Sequence, residues 1–216
     1  MENYNEPKIK IEKGVRLYIV RHGETEWNVL HKFQGQLNSS LTKNGIKVLE
    51  NTGEKLKNIK FKEIYTSYLD RTIESAKIIL QKNINYKKNK IEIKKMPELN
   101  EVYFGLWQGM SHKDVFKKFP EEANNYFYDV KRYKAENIKG ENLKEALNRF
   151  LSGINKILEN KNTGNILVVT HGTVFEMFMN YIKNIDIFNI NERKLINNGD
   201  YRIFKYENNK ITMIED

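Results

Sequence analysis

Two stretches of this 216-residue chain end in the same way, and together they restrict it to a narrow set of folds. Leu17-Tyr18-Ile19-Val20 runs straight into Arg21-His22-Gly23-Glu24, and Asn165-Ile166-Leu167-Val168-Val169-Thr170 runs straight into His171-Gly172. Continuous apolar runs of this length, rich in β-branched residues, read as strands buried on both faces, as in a parallel sheet. The glycine after each histidine carries no Cβ, so the backbone can turn sharply or come close to a ligand. In open α/β sheets, ligands bind at the carboxyl ends of the strands. A histidine that only packs in a core belongs inside an element, so two of them delivered at strand exits point to a site.

Strands and helices alternate through most of the remaining chain. Residues 25–40 read as an irregular loop with room for one helical turn. Thr42 caps a helix to about Lys57, with Ile46, Leu49 and Gly53 on one side. Residues 61–66 form a short strand, and Ser67-Tyr68-Leu69-Asp70 opens a helix carrying Ile73, Ala76, Ile79 and Leu80 at helical spacing. Residues 85–90 read as a polar, basic turn, and residues 91–96 alternate as a strand that Pro97 ends. Ser111 caps a helix through Lys118, stopped before Pro120, and residues 121–139 are helical in part. Leu143, Ala146, Leu147, Phe150, Leu151, Ile154 and Leu158 give a long amphipathic helix. Another helix follows from Thr173 to about Tyr181. Residues 201–206 and 210–214, joined by Asn208-Asn209, make a hairpin. This order predicts an α/β fold: a three-layer α/β/α sandwich whose mostly parallel sheet carries an antiparallel edge strand or hairpin.

Residues 1–14 are polar and mixed in charge, with neither the apolar core of a secretion signal nor an Arg/Ser-rich amphipathic pattern. They read as an extension of a single domain over residues 15–216. No apolar run approaches the roughly 20 residues that span a bilayer, and without cysteine there are no disulfides or thiolate metal sites. The expectation is a cytoplasmic enzyme with no membrane partner. A net charge of +9 raises the question of nucleic acid. The lysines are scattered, however, in small groups such as Lys87-Lys88-Lys90, Lys94-Lys95 and Lys117-Lys118, and no zinc-finger, aromatic RNA-binding or P-loop pattern is present. This is a solvated surface whose field helps recruit a small anion. No nucleic-acid partner is expected.

Two histidines at strand ends first suggest a metal, which would need further ligands. His31 and His112 lack ligand spacing, and Arg21 and Arg71 stand beside the candidate site. Arginines around histidines suit an anion better than a cation, so no metal is expected. Guanidinium groups bind phosphate oxygens bidentately, and helix N-termini add N–H donors. An imidazole nitrogen can attack phosphorus when its other nitrogen is held protonated.

Six motifs in order then match a known family. Leu-Tyr-Ile-Val-Arg-His-Gly-Glu-Thr-Glu-Trp-Asn (17–28), Phe-Gln-Gly-Gln-Leu-Asn-Ser-Ser-Leu-Thr (33–42) and Tyr-Thr-Ser-Tyr-Leu-Asp-Arg-Thr (65–72) come first. Leu-Asn-Glu-Val-Tyr-Phe-Gly-Leu-Trp-Gln-Gly (99–109), Gly-Glu-Asn-Leu (140–143) and Val-Val-Thr-His-Gly (168–172) follow. The chain resembles the histidine phosphatase superfamily, the branch with cofactor-dependent phosphoglycerate mutases and related phosphatases. The resemblance implies that His22 is the nucleophile that becomes phosphohistidine. It also implies that Arg21, Arg71 and His171, with Asn28 and Gly172, hold the phosphoryl group, and that Glu101 protonates the leaving alcohol. A carboxylate beside a dianionic phosphate retains a proton more readily, which suits that last role. Glu24 and Glu98 are the competing carboxylates. Gln34, Thr42 and Asn198 read as loop or cap residues. Trp27 and Trp107 read as packing, with Trp107 the one placed to reach a pocket mouth.

Phosphatases and mutases of this family share the first half-reaction. In the mutase pattern the acid glutamate is followed by Arg-His-Tyr-Gly, whereas here Val102-Tyr103-Phe104-Gly105 follows Glu101. The segment at about 110–140, which covers the site in the family, is short for a mutase. Both departures favour a phosphomonoesterase acting on a small phosphorylated metabolite, without a cofactor. Phosphoglycerate mutase and α-ribazole phosphatase are the alternatives within the family, and a non-catalytic phospho-ligand binder is the remote one.

Overall fold

The computed structural model describes residues 14–89, 91–189 and 194–214, so the extension read over residues 1–14 lies, apart from Gly14, outside the described residues. Six strands form one sheet: β1 (Gly14–Arg21), β2 (Phe61–Thr66), β3 (Ile93–Lys95), β4 (Thr163–Thr170), β5 (Tyr201–Glu207) and β6 (Lys210–Ile214). Their spatial order is β3-β2-β4-β1-β5-β6. The first four run parallel, while β5 returns antiparallel beside β1 and β6 closes the hairpin. Asn208 and Asn209 both hold left-handed φ values, 51° and 59°, at its two-residue turn. Asparagine tolerates that region better than most side chains, and the turn matches the twist of the strands.

Among the described residues, eight α-helices fill the connections: α1 (Glu26–Val29), α2 (Lys43–Lys55), α3 (Asp70–Lys82), α4 (Ile84–Asn89), α5 (His112–Lys118), α6 (Pro120–Tyr128), α7 (Leu143–Leu158) and α8 (Gly172–Ile182). Alternation along β1 explains the layers. Leu17 and Ile19 face a core shared with Phe150 and Ile154 of α7 and Phe175 and Phe178 of α8. Tyr18 and Val20 face a second core with Leu49 of α2 and Ala76, Ile79 and Leu80 of α3. A strand covered on both sides has no polar face, which is why β1 and β4 show no alternation in their sequence.

Two local readings change. Residues 84–89 are a helix rather than a turn, because the buried Asn83 starts it. Its Oδ1 accepts the Tyr86 N–H at 2.9 Å, and its Nδ2 donates to the carbonyls of Leu56 and Ile59. Composition alone read this segment as polar loop; a cap tied into the fold overrides it. Pro120, read as a helix stop, ends α5 and also opens α6, since a missing N–H is harmless in the first helical turn.

Candidate active site

All four parallel strands deliver residues to the same edge of the sheet. The β1–β4 register pairs Arg21 with Thr170, so the next residues, His22 and His171, leave the sheet side by side. Their rings lie 5.3 Å apart, edge to face. From β2 the chain passes through Ser67 into α3, whose second residue is Arg71. From β3 it passes through a 3₁₀ turn, Pro97–Leu99, to Glu101. A cavity of about 540 Å³ opens there, lined at its inner end by Arg21, His22, Asn28, Arg71, Glu101 and Gly172. His171 is fully buried behind His22 and is not part of the cavity wall.

His22 Nδ1 lies 2.7 Å from the Gly23 carbonyl, which can only accept, so this nitrogen carries the proton and Nε2 keeps the lone pair. Burial, then Arg71 and Arg21, push its pKa well below the usual imidazole range, and the Gly23 hydrogen bond opposes them only in part. The ring is therefore neutral at physiological pH, the form a nucleophile needs. Gly23 sits where it does because α2 is docked tightly: a Cβ there would meet Leu49 Cδ1 at 2.6 Å. Its N–H donates to Ser75 Oγ on α3 at 3.0 Å.

Arg71 is 1 % exposed and donates to the carbonyls of Leu37 (2.6 Å) and Gly35 (2.7 Å). Burial lowers its pKa to about 10, so it stays charged. Arg21 donates to the Ile196 carbonyl at 2.6 Å and packs flat over Gly172. Burial lowers its pKa too, opposed by Glu101 and Glu176. Three buried nitrogens around His22 have no hydrogen-bond partner among the described residues: Arg21 Nε, Arg71 Nε and His171 Nδ1. Buried polar groups are rarely left so. Two guanidinium N–H groups and an imidazole nitrogen fit one tetrahedral oxyanion.

Glu101 changes the expected use of a helix terminus. Its carboxylate accepts the N–H groups of Val102 and Val174 on Oε1 and of Thr173 on Oε2, at 3.0–3.1 Å. The amides of Thr173 and Val174 at the start of α8 are thus taken by Glu101 rather than left to an anion. A carboxylate has about four lone-pair positions, so the one left over belongs to Oε2. Glu24 instead accepts from Thr42 Oγ1, and Glu98 pairs with Lys156; neither lines the cavity. The Glu101 backbone is fixed by Arg149 of α7, which donates to the carbonyls of Glu98, Asn100 and Glu101 and forks onto both oxygens of Glu141.

Several site residues escaped the sequence reading. Asn198 lines the cavity, its Nδ2 donating to the His22 carbonyl at 3.1 Å and to Asn28 Oδ1 at 3.3 Å. The β1–β5 pairing of Val20 with Tyr201 brings it there, a register that needs the strand order first. Gln34 also lines the cavity, whereas Thr42 caps α2 as read. Glu176 carried a signal, as the lone charged residue in the apolar α8. Ser67, at 2.8 Å from His171 Nε2, carried none. Of the two tryptophans, Trp107 is buried packing and Trp27 is the one on the cavity wall.

The sequence model of the histidine phosphatase superfamily (branch 1) matches residues 17–215. The chain belongs to this superfamily. Within it, the chain is 27 % identical to the 2,3-bisphosphoglycerate-dependent phosphoglycerate mutase of Blochmanniella floridana, over 90 % of this chain and 94 % of that protein. It is 29 % identical to the adenosylcobalamin/α-ribazole phosphatase of Escherichia coli, over 76 % and 77 %. Bacillus stearothermophilus YhfR superposes with a TM-score of 0.84 at 25 % identity, covering 92 % of this chain and 95 % of that one. Histidine phosphatases of both reaction types are therefore among its relatives. No helix among the described residues is long and apolar enough to cross a membrane.

Two consequences of the geometry can be measured. Arg149→Lys removes the fork that holds the Glu101 loop. It is expected to lower kcat for an alkyl phosphate about tenfold while leaving KM nearly unchanged, since misplacing a reacting group slows chemistry more than binding. A change in KM alone would contradict that positioning role. The second concerns pH. Burial, followed by Arg71, His22, Arg149 and Arg21, pushes His171 well below its usual range. As pH falls below about 6.5, the unfolded chain takes up protons that buried His22 and His171 refuse, so stability drops by up to about 1.4 kcal/mol per pH unit for each. His171→Gln is expected to flatten that fall in urea titrations between pH 7 and 5, and an unchanged slope would refute it.

Proposed function

We propose that the chain is a phosphomonoesterase that hydrolyses small phosphorylated metabolites through a phosphohistidine on His22. The observation that supports this best is the set of buried, unpartnered nitrogens of Arg21, Arg71 and His171 around an imidazole whose Nε2 keeps its lone pair. In this reading the Nε2 lone pair forms the N–P bond as the ester P–O bond breaks, and Glu101 gives its proton to the departing alcohol. Water then attacks phosphorus, returning a proton to Glu101 while the P–N bond breaks and inorganic phosphate leaves. Ser67 Oγ lies 2.8 Å from His171 Nε2, and in this reading it donates there, so that Nδ1 carries a hydrogen for a phosphoryl oxygen. Two guanidiniums and an imidazole supply the charge stabilisation that phosphoryl transfer chiefly requires.

Mutase chemistry is the second reading, because a mutase that matches over most of both chains is among the relatives. Against it stand the residues after the acid. Val102 is fully buried, Tyr103 faces outward, and neither lines the cavity, so no cationic pair follows Glu101 there. The test offers 3-phosphoglycerate with and without 2,3-bisphosphoglycerate and no added metal, and follows inorganic phosphate and 2-phosphoglycerate together. Phosphate release is expected to dominate, with p-nitrophenyl phosphate also hydrolysed. Isomerisation faster than hydrolysis would overturn the phosphatase reading. The proposed place of action is the cytoplasm, and residues 110–140 are proposed as the cover of a single domain.

A further inference from the structure

The cavity continues well past the inner cluster, and its outer half has a different chemistry. Trp27, Phe33 and Phe127 give it flat apolar walls, and three basic side chains, His31, Lys32 and His112, share its lining. His31 and His112 come from segments eighty residues apart, joined here by backbone: the His112 N–H donates to the His31 carbonyl at 2.9 Å, and Lys32 bridges Ser111. His31 holds a left-handed φ of 49°, a conformation that costs a non-glycine residue energy and that collects at functional sites. The two imidazoles then lie 6.1 Å apart, with His112 packed between Phe33 (4.9 Å) and Phe127 (5.2 Å). The Lys32 ammonium sits over the Trp27 ring, 5.6 Å from its centre, rather than against a carboxylate. Burial and His31 together hold the His112 pKa below its usual value, so at neutral pH this ring is an uncharged N–H donor beside a cationic lysine.

From this arrangement we infer a second anion subsite at the cavity mouth, formed by His31, Lys32 and His112. The substrate is thus a phosphomonoester whose alcohol has a flat, apolar body ending in a carboxylate or another acidic group. The inference rests on the proposed function for its inner, phosphoryl end. Lys32 supplies on this wall a positive charge of the kind that is missing after Glu101.

The test compares benzyl phosphate with 4-carboxybenzyl phosphate, which differ in the remote carboxylate and hardly at all in the leaving oxygen. The carboxylate is expected to lower KM about tenfold, the effect of one charge-assisted contact, with kcat little altered. In Lys32→Gln and in Lys32→Gln/His112→Gln that ratio is expected to shrink towards one, with folding checked by circular dichroism. No gain from the carboxylate in the wild type, or a gain that survives in both variants, would overturn the subsite. Calorimetry with benzylphosphonate and 4-carboxybenzylphosphonate separates the two proposals, because it needs no turnover. Tighter binding of the carboxylated phosphonate without hydrolysis of either ester would sink the phosphatase reading and keep the subsite. Equal binding alongside hydrolysis would do the reverse, and binding of neither phosphonate with hydrolysis of neither ester would sink both.

Discussion

His22→Ala is expected to lower kcat for p-nitrophenyl phosphate by at least about 10⁴-fold, as removal of a nucleophile does elsewhere, with the fold intact. The side chain is 3 % exposed and its one hydrogen bond runs to the adjacent Gly23 carbonyl, so truncation leaves a small polar-walled hole and no unpaired charge. The stability loss should stay near 1–3 kcal/mol, the range for an unsatisfied buried acceptor. Rapid quench of the wild type into alkaline detergent during turnover should trap a phosphoryl adduct, stable to base and lost on acidification, that the variant lacks. Free imidazole, entering the hole, should restore part of the rate, which a purely structural role would not permit. Activity within tenfold of wild type would end the proposal that phosphorus is transferred to this residue.

Glu101→Gln carries the second largest expected effect, and its signature is selectivity between leaving groups. General acid catalysis contributes about 10²–10⁴-fold, and it matters most when the departing oxygen is a strong base. An alkyl phosphate should therefore lose a factor in that range, while p-nitrophenyl phosphate, whose phenolate leaves unaided, loses far less. The substitution also sets an amide NH₂ against the N–H groups of Thr173 and Val174, which now share a carboxylate. Thermal unfolding should show the weakened start of α8 as a loss of about 0.5–2 kcal/mol, the usual range for a helix cap. Equal losses for both esters would show that residue 101 moves no proton.

β1 and β4 were legible because burial on both faces removes alternation and leaves continuous β-branched runs such as Ile166–Val169, whereas β3 was legible by its alternation before Pro97. Arg21, His22 and His171 were legible at the exits of β1 and β4, and Arg71 at the opening of the helix after β2, whereas Glu101, beyond the short and exposed β3, was placed by the family motif around it. Asn198 was not, since its neighbours Asn197 and Gly199 give an ordinary turn composition and its place depends on β5 lying beside β1. The outer wall was equally opaque. His31 and His112 have no spacing relation, and they meet because residues 31–33 hydrogen-bond to residues 110–112 across the covering segment. The use of the α8 amides by Glu101 likewise needs a long-range approach from β3's exit, which no local pattern in Pro97–Gly105 reveals.

The return strand has a consequence for how the protein is made. β5 is the partner of β1 on the side away from β4, and the residues just before it close the pocket through Asn198 and through the Gly199 N–H, shared between the carbonyls of Arg21 and His22. A nascent chain that has left the ribosome only as far as residue 195 therefore has both histidines and both arginines but an open, apolar β1 edge, the kind of edge that invites pairing with other chains. The proposed phosphoryl site is thus complete only once the residues leading into β5 are in place, and until then β1 is the strand most in need of shelter.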